Sequence, residues 1–214
     1  MKNTKLLLFI TACSLAGLPC FADDSGSVAA QFETVAGGTQ YSIMGSGALS
    51  SIEMAAWLVT SNSDIDIDFA RDFAALYIQE AALEGVNHDV AFSQMCLETG
   101  FLRFDRIVTM DMNNFGGIGA VSEKKRGERF NSIAMGVRAH IQHLKAYGSA
   151  TPLSQRLVDP SYYYVRYGSA PTVKDLSGKW AVDTAYGEKL ISVIDRAYYM
   201  AGKSSQFETL TLNQ

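Results

Sequence analysis

The feature that most constrains this fold is an apolar run, VAFSQMCL at residues 90–97, which ends at Glu98 and is closed by Gly100. Asn87 or Asp89 can cap a helix before this run, and Gly100 can end it. Because the run is apolar almost all round, its helix is predicted to be central and buried. The rest of the chain must therefore pack around a helix that has a carboxyl group near its C-terminal end.

Glu98 stands in an unusual place for a glutamate. The C-terminal end of a helix carries partial negative charge, and apolar surroundings also disfavour a charged carboxylate. Both effects raise the pKa of Glu98 and favour the neutral acid. A neutral carboxylic acid held in place can protonate the leaving oxygen of a glycoside. The alternative is a surface glutamate at a frayed helix end.

The rest of the chain has the sequence pattern of a mainly helical protein. Apolar residues recur at helical spacing in four further stretches, which begin near residue 51, near Asp66 or Asp68, at Ser132 and near Tyr186. Residues 110–130 contain four glycines and are predicted to form a loop followed by a small β-hairpin. The predicted fold class is mainly α (α+β), a helical domain with a small β-hairpin lobe inserted after the buried helix.

Residues 1–22 have the pattern of an export signal. Lys2 and Lys5 precede an apolar core, and Cys20-Phe21-Ala22 offers a small-x-small cleavage site. The protein is therefore predicted to be exported, either periplasmic or secreted. A lipoprotein signal with Cys13 as the lipidated residue is the alternative.

The rest of the chain divides into three predicted parts. Residues 23–48 are rich in Gly, Ser and Ala and are predicted to be a flexible leader, residues 49–203 the domain, and residues 204–214 a C-terminal tail. No long apolar run lies beyond residue 22, so no second membrane segment is expected. The formal charge of −4 argues against a nucleic-acid-binding protein, which needs a basic face.

Cysteine and histidine give little support for thiol or metal chemistry. Cys13 and Cys20 lie in the signal, and Cys96 has apolar neighbours that indicate a small buried hydrophobe rather than a nucleophile. His140 and His143 share a helix face at i and i+3, a spacing that suits a metal. Without a thiolate or a clear third ligand, a surface or packing role is favoured. No metal and no cofactor are predicted.

Two further segments are candidates for sugar contact. The loop NNFGGIG at 113–119 suits a backbone that approaches a ligand closely, since Asn114 can bond sugar hydroxyls and Phe115 can stack on a pyranose. It lacks the Lys-Ser/Thr of a phosphate loop, and the alternative is a plain glycine-rich turn. Tyr163, in the run Tyr162–Tyr164, is a candidate for a sugar-stacking wall, with packing of an irregular segment as the alternative.

Four motifs in order resemble the glycoside hydrolase family 73 N-acetylglucosaminidases. They are VAFSQMCLETGFL (90–102), NNFGGIGA (113–120), GERFNSIAMGVRAHIQHLKAY (127–147) and DPSYYYVRYGSAPTVKDLSGKWAVDTAYGEKL (159–190). The resemblance extends over residues 50–200, approximately, and implies a lysozyme-like fold. It also implies hydrolysis of peptidoglycan glycan strands as the activity, without a cofactor.

The resemblance implies roles for particular residues. Glu98 takes the place of the family's general acid. Asn114 and Phe115 fall on the loop of the substrate cleft, Tyr186 falls on a tyrosine that lines the cleft, and Trp180 looks like a structural tryptophan.

The catalytic base is less well defined, because the predicted hairpin is shorter than in many relatives. Glu123 is the positional match for their second glutamate, and Glu128 is the substitute. Assistance by the acetamido group of the substrate is a third possibility. A lytic transglycosylase, which needs one glutamate, and a non-catalytic glycan-binding module are the alternative functions.

Overall fold

The computed structural model describes residues 33–35, 38–104, 108–122 and 125–203. The predicted export signal with Cys13, the first part of the leader, Glu123 and the predicted tail at 204–214 lie outside these residues.

The described residues form a mainly helical domain, which confirms the predicted fold class. None of their helices is both long and apolar enough to cross a bilayer. The helices are α1 (Ser51–Ser61), α2 (Ile67–Glu84), α3 (His88–Thr99), α4 (Ile133–Gly148) and α5 (Tyr186–Met200), with short 3-10 turns at Met110–Met112, Tyr162–Tyr164 and Lys174–Leu176. The strands are β1 (Glu33–Val35), β2 (Gly38–Gln40), β3 (Ala120–Ser122) and β4 (Lys125–Arg126).

The helices that carry and support Glu98 begin at residues that the sequence offers as starts, and α3 ends at Gly100 as predicted. The Asp66 side chain caps α2, and the Asn87 side chain caps α3. Gly85 and Gly100 follow these helices in the left-handed conformation, with φ of 70° and 58°. A glycine adopts this conformation without steric cost, so both helices end sharply.

Helix α3 lies at the centre of the domain, as predicted. Nearly all of its residues are buried, and it packs against α2, α4 and α5. The Phe92 ring lies 5.5 Å from the ring of Tyr77 and 6.3 Å from that of Trp57. Cys96 is free and fully buried, and burial raises the pKa of its thiol. It therefore acts as a small core hydrophobe.

The predicted leader ends too late in the sequence. Residues 41–48 are not a free leader but pack into the domain. Ile43 is fully buried, and its N–H donates to the carbonyl of Pro171, which follows α4 in the chain. The buried carboxylate of Asp89, in the first turn of α3, accepts hydrogen bonds from the N–H groups of Ala48 (2.6 Å) and Leu49 (3.2 Å). These bonds fix the segment, so the domain extends at least from residue 41.

The two ends of the domain meet near the start of α3. The Lys203 ammonium donates to the carbonyl of Ala48 at 2.6 Å, and the Tyr41 hydroxyl donates to Asp195 at 2.5 Å. The Tyr198 hydroxyl of α5 donates to Asp89 at 2.6 Å. One buried carboxylate thus joins the first and last parts of the domain.

A short antiparallel pair lies in the stretch where a hairpin is predicted. Strand β3 pairs with β4 through Ala120↔Arg126 and Ser122↔Lys125, with an irregularity between them. No third described strand joins this pair. The small β-hairpin lobe therefore stays a prediction.

Candidate active site

Glu98 lies one residue before the end of α3, and two aromatic donors hold its carboxyl group. Its Oε1 accepts a hydrogen bond of 2.5 Å from the Tyr186 hydroxyl and one of 3.0 Å from the Trp180 indole nitrogen. Tyr186 is the first residue of α5, and Trp180 lies in the segment before it. The end of one helix and the start of another therefore meet at this carboxyl group.

Burial raises the pKa of the Glu98 carboxyl group and is the largest influence on it. The hydrogen bonds from Tyr186 and Trp180 lower the pKa, but the net direction is upward. The direction predicted from the sequence is therefore confirmed, with loss of water as the main cause. A raised pKa keeps more of the group in its neutral, proton-donating form at a given pH.

The glycine loop passes directly beside the second oxygen of Glu98. A Cβ atom placed on Gly117, whose φ is +63°, would lie 3.4 Å from Oε2. A Cβ atom placed on Gly116 would lie only 2.8 Å from the ring of His140. The backbone can come this close because these residues have no side chain. No described residue donates a hydrogen bond to Oε2, so this oxygen is available for chemistry.

The prediction that the side chains of Asn114 and Phe115 contact a sugar does not agree with their positions. The Asn114 amide is fully buried, donates to the carbonyls of Ile118 (2.9 Å) and Glu128 (3.1 Å), and accepts from the Ile118 N–H (2.9 Å). Phe115 is also fully buried, with its ring 4.9 Å from that of Phe73. Because neither side chain has free surface, we correct both roles to holding the loop in place.

Glu123 and Glu128 are the two candidates for the second carboxylate. Glu123 lies outside the described residues. The side chain of Glu128 lies over Gly119, where an added Cβ atom would come within 3.3 Å of its Oε1. Gly117 contacts Glu98 only two positions earlier in the same loop, so one short loop borders both carboxyl groups.

Trp180 is held by rings on its other sides. Its ring centroid lies 5.0 Å from that of His143, 5.6 Å from that of Tyr147 and 5.7 Å from that of His140. His143 is also bonded to Asp159 at 2.7 Å. Both histidines therefore have the packing role that the sequence favours. Trp180 is structural, as the resemblance implies, and it also contacts the acid directly.

Tyr163 is not brought to Glu98 by any contact. Its side chain is 75% exposed, and its ring packs on Tyr162. Its neighbours face a surface pocket of about 460 Å³ that adjoins Trp180 through Lys179. The residues that line this pocket include Tyr147, Tyr164, Arg166, Tyr167 and Lys179.

A buried chain of polar groups behind Glu98 was missed by the sequence reasoning. Gln94 donates from Nε2 to the Tyr186 hydroxyl at 2.9 Å, and its Oε1 lies 3.0 Å from Nε2 of His140. The other ring nitrogen of His140, Nδ1, lies 2.9 Å from the Tyr77 hydroxyl. Burial lowers the pKa of His140 to about 3, so the ring is neutral. The available signal was Gln94 itself, a polar residue one helical turn before Glu98.

The chain turns sharply just after the acid. Phe101, Leu102 and Phe104 have positive φ values of 59°, 61° and 56°. Such conformations in residues other than glycine cost about 1–3 kcal/mol each and are concentrated at functional sites. The Thr99 hydroxyl accepts from the Leu102 N–H at 2.9 Å and so supports this turn.

Comparison with known proteins identifies the family of the chain and a relative of it. The glucosaminidase family, described as mannosyl-glycoprotein endo-beta-N-acetylglucosaminidase, matches residues 74–199. An uncharacterized protein of Borreliella burgdorferi is 43% identical over 142 residues, which are 66% of this chain and 70% of that protein. The family match includes α3, the glycine loop, Trp180 and Tyr186.

Proposed function

The chain belongs to the glucosaminidase family and is a glycoside hydrolase, and we propose that it cleaves the glycan strands of peptidoglycan as an endo-β-N-acetylglucosaminidase. Its membership confirms the resemblance to family 73 that the four sequence motifs indicate.

The observation that carries the proposal is the arrangement around Glu98. Oε1 is occupied by two hydrogen-bond donors, whereas Oε2 faces the glycine loop without a donor among the described residues. The neutral acid therefore holds its proton on Oε2 and accepts hydrogen bonds at Oε1. From Oε2 the proton passes to the glycosidic oxygen as the C–O bond breaks.

Water then attacks the sugar, and a second group must take its proton. Glu128 is supported as that base by its position beside Gly119, on the loop that also borders Glu98. Glu123 is the other candidate base. In the substrate-assisted alternative, the acetamido oxygen itself bonds to the anomeric carbon as the glycosidic bond breaks, and water then opens the oxazolinium ion that is formed. Inverting glycosidases place their two carboxyl groups roughly 6.5–9.5 Å apart, which leaves room for the water molecule.

The proposed substrate also indicates the compartment in which the protein acts. Peptidoglycan lies outside the cytoplasmic membrane, so the proposal includes export through the signal predicted at residues 1–22. A glycan strand that continues past Trp180 would reach the pocket lined by Tyr164 and Tyr167. Tyr163 is the exposed neighbour of Tyr164 and is proposed to contact the glycan at the outer edge of this pocket.

The test is digestion of purified peptidoglycan followed by mass spectrometry of the products. We expect reducing N-acetylglucosamine ends from the wild type. We expect Glu98→Gln to lose on the order of 10²-fold or more of the rate, because the amide cannot donate an acid proton. Glu188→Gln, an exposed glutamate of α5, is the matched control and should keep the wild-type rate.

Other products would point to other functions. Anhydro-muramic ends would identify a lytic transglycosylase, and intact glycan with retained binding would identify a non-catalytic module. Glu123→Gln and Glu128→Gln, made separately and together, then show whether either carboxylate is the base. Full activity in the double variant would leave the acetamido group of the substrate as the remaining candidate.

A further inference from the structure

We propose that Gln94, His140 and Tyr77 form a buried positioning relay that acts through Tyr186 and determines which oxygen of Glu98 carries the acidic proton. This inference rests on the proposed function, because it assigns residues that support the proposed acid. Among the described residues, the side-chain donors to the Glu98 carboxyl group are Tyr186 and Trp180, so these three side chains act only through Tyr186.

The direction of each hydrogen bond follows from what each group can donate. The Gln94 amide nitrogen can only donate, so the Tyr186 oxygen accepts from it. The single proton of the Tyr186 hydroxyl is then left for Oε1 of Glu98. With Oε1 accepting, the proton of the neutral carboxyl group resides on Oε2, beside Gly117.

The orientation of Gln94 depends in turn on His140. Because this histidine is neutral, one ring nitrogen carries a proton and the other accepts. With the amide oxygen of Gln94 directed at the ring, Nε2 of His140 must donate, so Nδ1 accepts from the Tyr77 hydroxyl. The Gln94 amide nitrogen is then directed toward Tyr186.

The hydrogen bonds of the relay could also run in the reverse direction, which would prevent Glu98 from donating its proton to the substrate. If His140 carried its proton on Nδ1, the Gln94 amide would turn over and accept from Tyr186. Tyr186 could then no longer donate to Glu98, and the carboxyl proton would reside on Oε1, directed at Tyr186. The Trp180 indole, which can only donate, opposes this state because it also bonds Oε1.

The relay is also enclosed. Gln94, His140 and Tyr77 are fully buried. The Gly116 backbone covers the His140 ring so closely that an added Cβ atom would lie 2.8 Å from it. Helices α2, α3 and α4 each contribute one member, so their packing keeps the three groups within hydrogen-bond distance.

The test is a double-mutant cycle between Gln94→Leu and Tyr186→Phe, with kcat, KM and the pH profile of kcat measured for each variant. We expect Gln94→Leu to lower kcat by up to roughly tenfold, the upper end of the effect of one hydrogen bond between neutral groups, with little change in KM. In the Tyr186→Phe background the same change should have almost no further effect, because Gln94 acts through that hydroxyl.

The pH profile gives a readout that packing alone would not move. Donation from Tyr186 lowers the pKa of Glu98, so weaker donation should shift the alkaline limb of kcat to higher pH. Gln142→Leu is the matched control, since Gln142 is another fully buried glutamine, bonded to Arg156 and Val158 instead. It should lower the melting temperature without moving the limb.

A second pair of variants tests the relay even if Gln94→Leu does not fold. His140→Gln can still donate and accept, so it should keep more kcat than His140→Leu. The relay is refuted if the effects of Gln94→Leu and Tyr186→Phe multiply, or if both His140 variants lose kcat equally. A wild-type protein that does not cleave any glycan would instead contradict the proposed function.

Discussion

Replacing Asn114 by alanine distinguishes a structural role for this side chain from a role in binding the glycan. The fully buried amide makes two hydrogen bonds to the backbone of Ile118, both at 2.9 Å, and one to the carbonyl of Glu128 at 3.1 Å. Alanine would leave the N–H and C=O of Ile118 and the C=O of Glu128 without these partners. At about 1 kcal/mol for each bond, the expected loss in the free energy of unfolding is about 3 kcal/mol.

The assay is urea denaturation together with a thermal melt. For a domain of this size, each kcal/mol lowers Tm by about 2–4 °C, so Asn114→Ala should melt about 6–12 °C lower. The turnover rate should also fall, because Gly117 in the released loop no longer borders Glu98. Asn114→Asp is the informative companion, since it keeps the acceptor for Ile118 but loses both donors, and it should be at least as destabilised.

If Asn114→Ala unfolds like the wild type but has a raised KM, the side chain binds substrate and the role inferred from its burial is wrong.

Two further predictions concern the acid and the loop. Glu98 has a folded-state pKa above its unfolded value, so the wild type loses stability as the pH rises from the unfolded pKa, near 4.3, through the folded pKa. Thermal melts at a series of pH values should therefore show the Tm of Glu98→Gln rising relative to that of the wild type as the pH rises. A Tm difference that does not change with pH would contradict a raised pKa for the buried carboxyl group. Gly116→Ala should destabilise the fold by about 1–3 kcal/mol and lower kcat, since its Cβ atom would meet His140 at 2.8 Å, and wild-type stability and kcat would contradict that contact.

The helical part of the fold could be predicted from local sequence, because its determinants are local. The Asn87 cap and the Gly100 end fix α3 within a few residues, and its apolar character places it in the core. The setting of Glu98 follows from the same pattern. The packing of residues 41–48 could not be predicted in the same way, because their few apolar side chains obtain partners only from distant parts of the chain.

The details of the site could not be predicted in this way. A glycine-rich loop gives no periodicity from which to judge that Asn114 and Phe115 point inward. The relay joins Tyr77, Gln94 and His140 from three helices, so no local spacing contains it. Only the packing of α2, α3 and α4 brings these groups within hydrogen-bond distance.

The junction at Asp89 also determines how this domain could be attached to something larger. The Tyr41 ring stacks on Tyr198, whose hydroxyl donates to Asp89, and Lys203 donates to the carbonyl of Ala48, so both ends of the described domain lie close to the first turn of α3. Glu98 lies nine residues along the same helix, which is about 14 Å away at 1.5 Å per residue. A tether at either end of the described domain would therefore hold the protein by the end of α3 opposite Glu98.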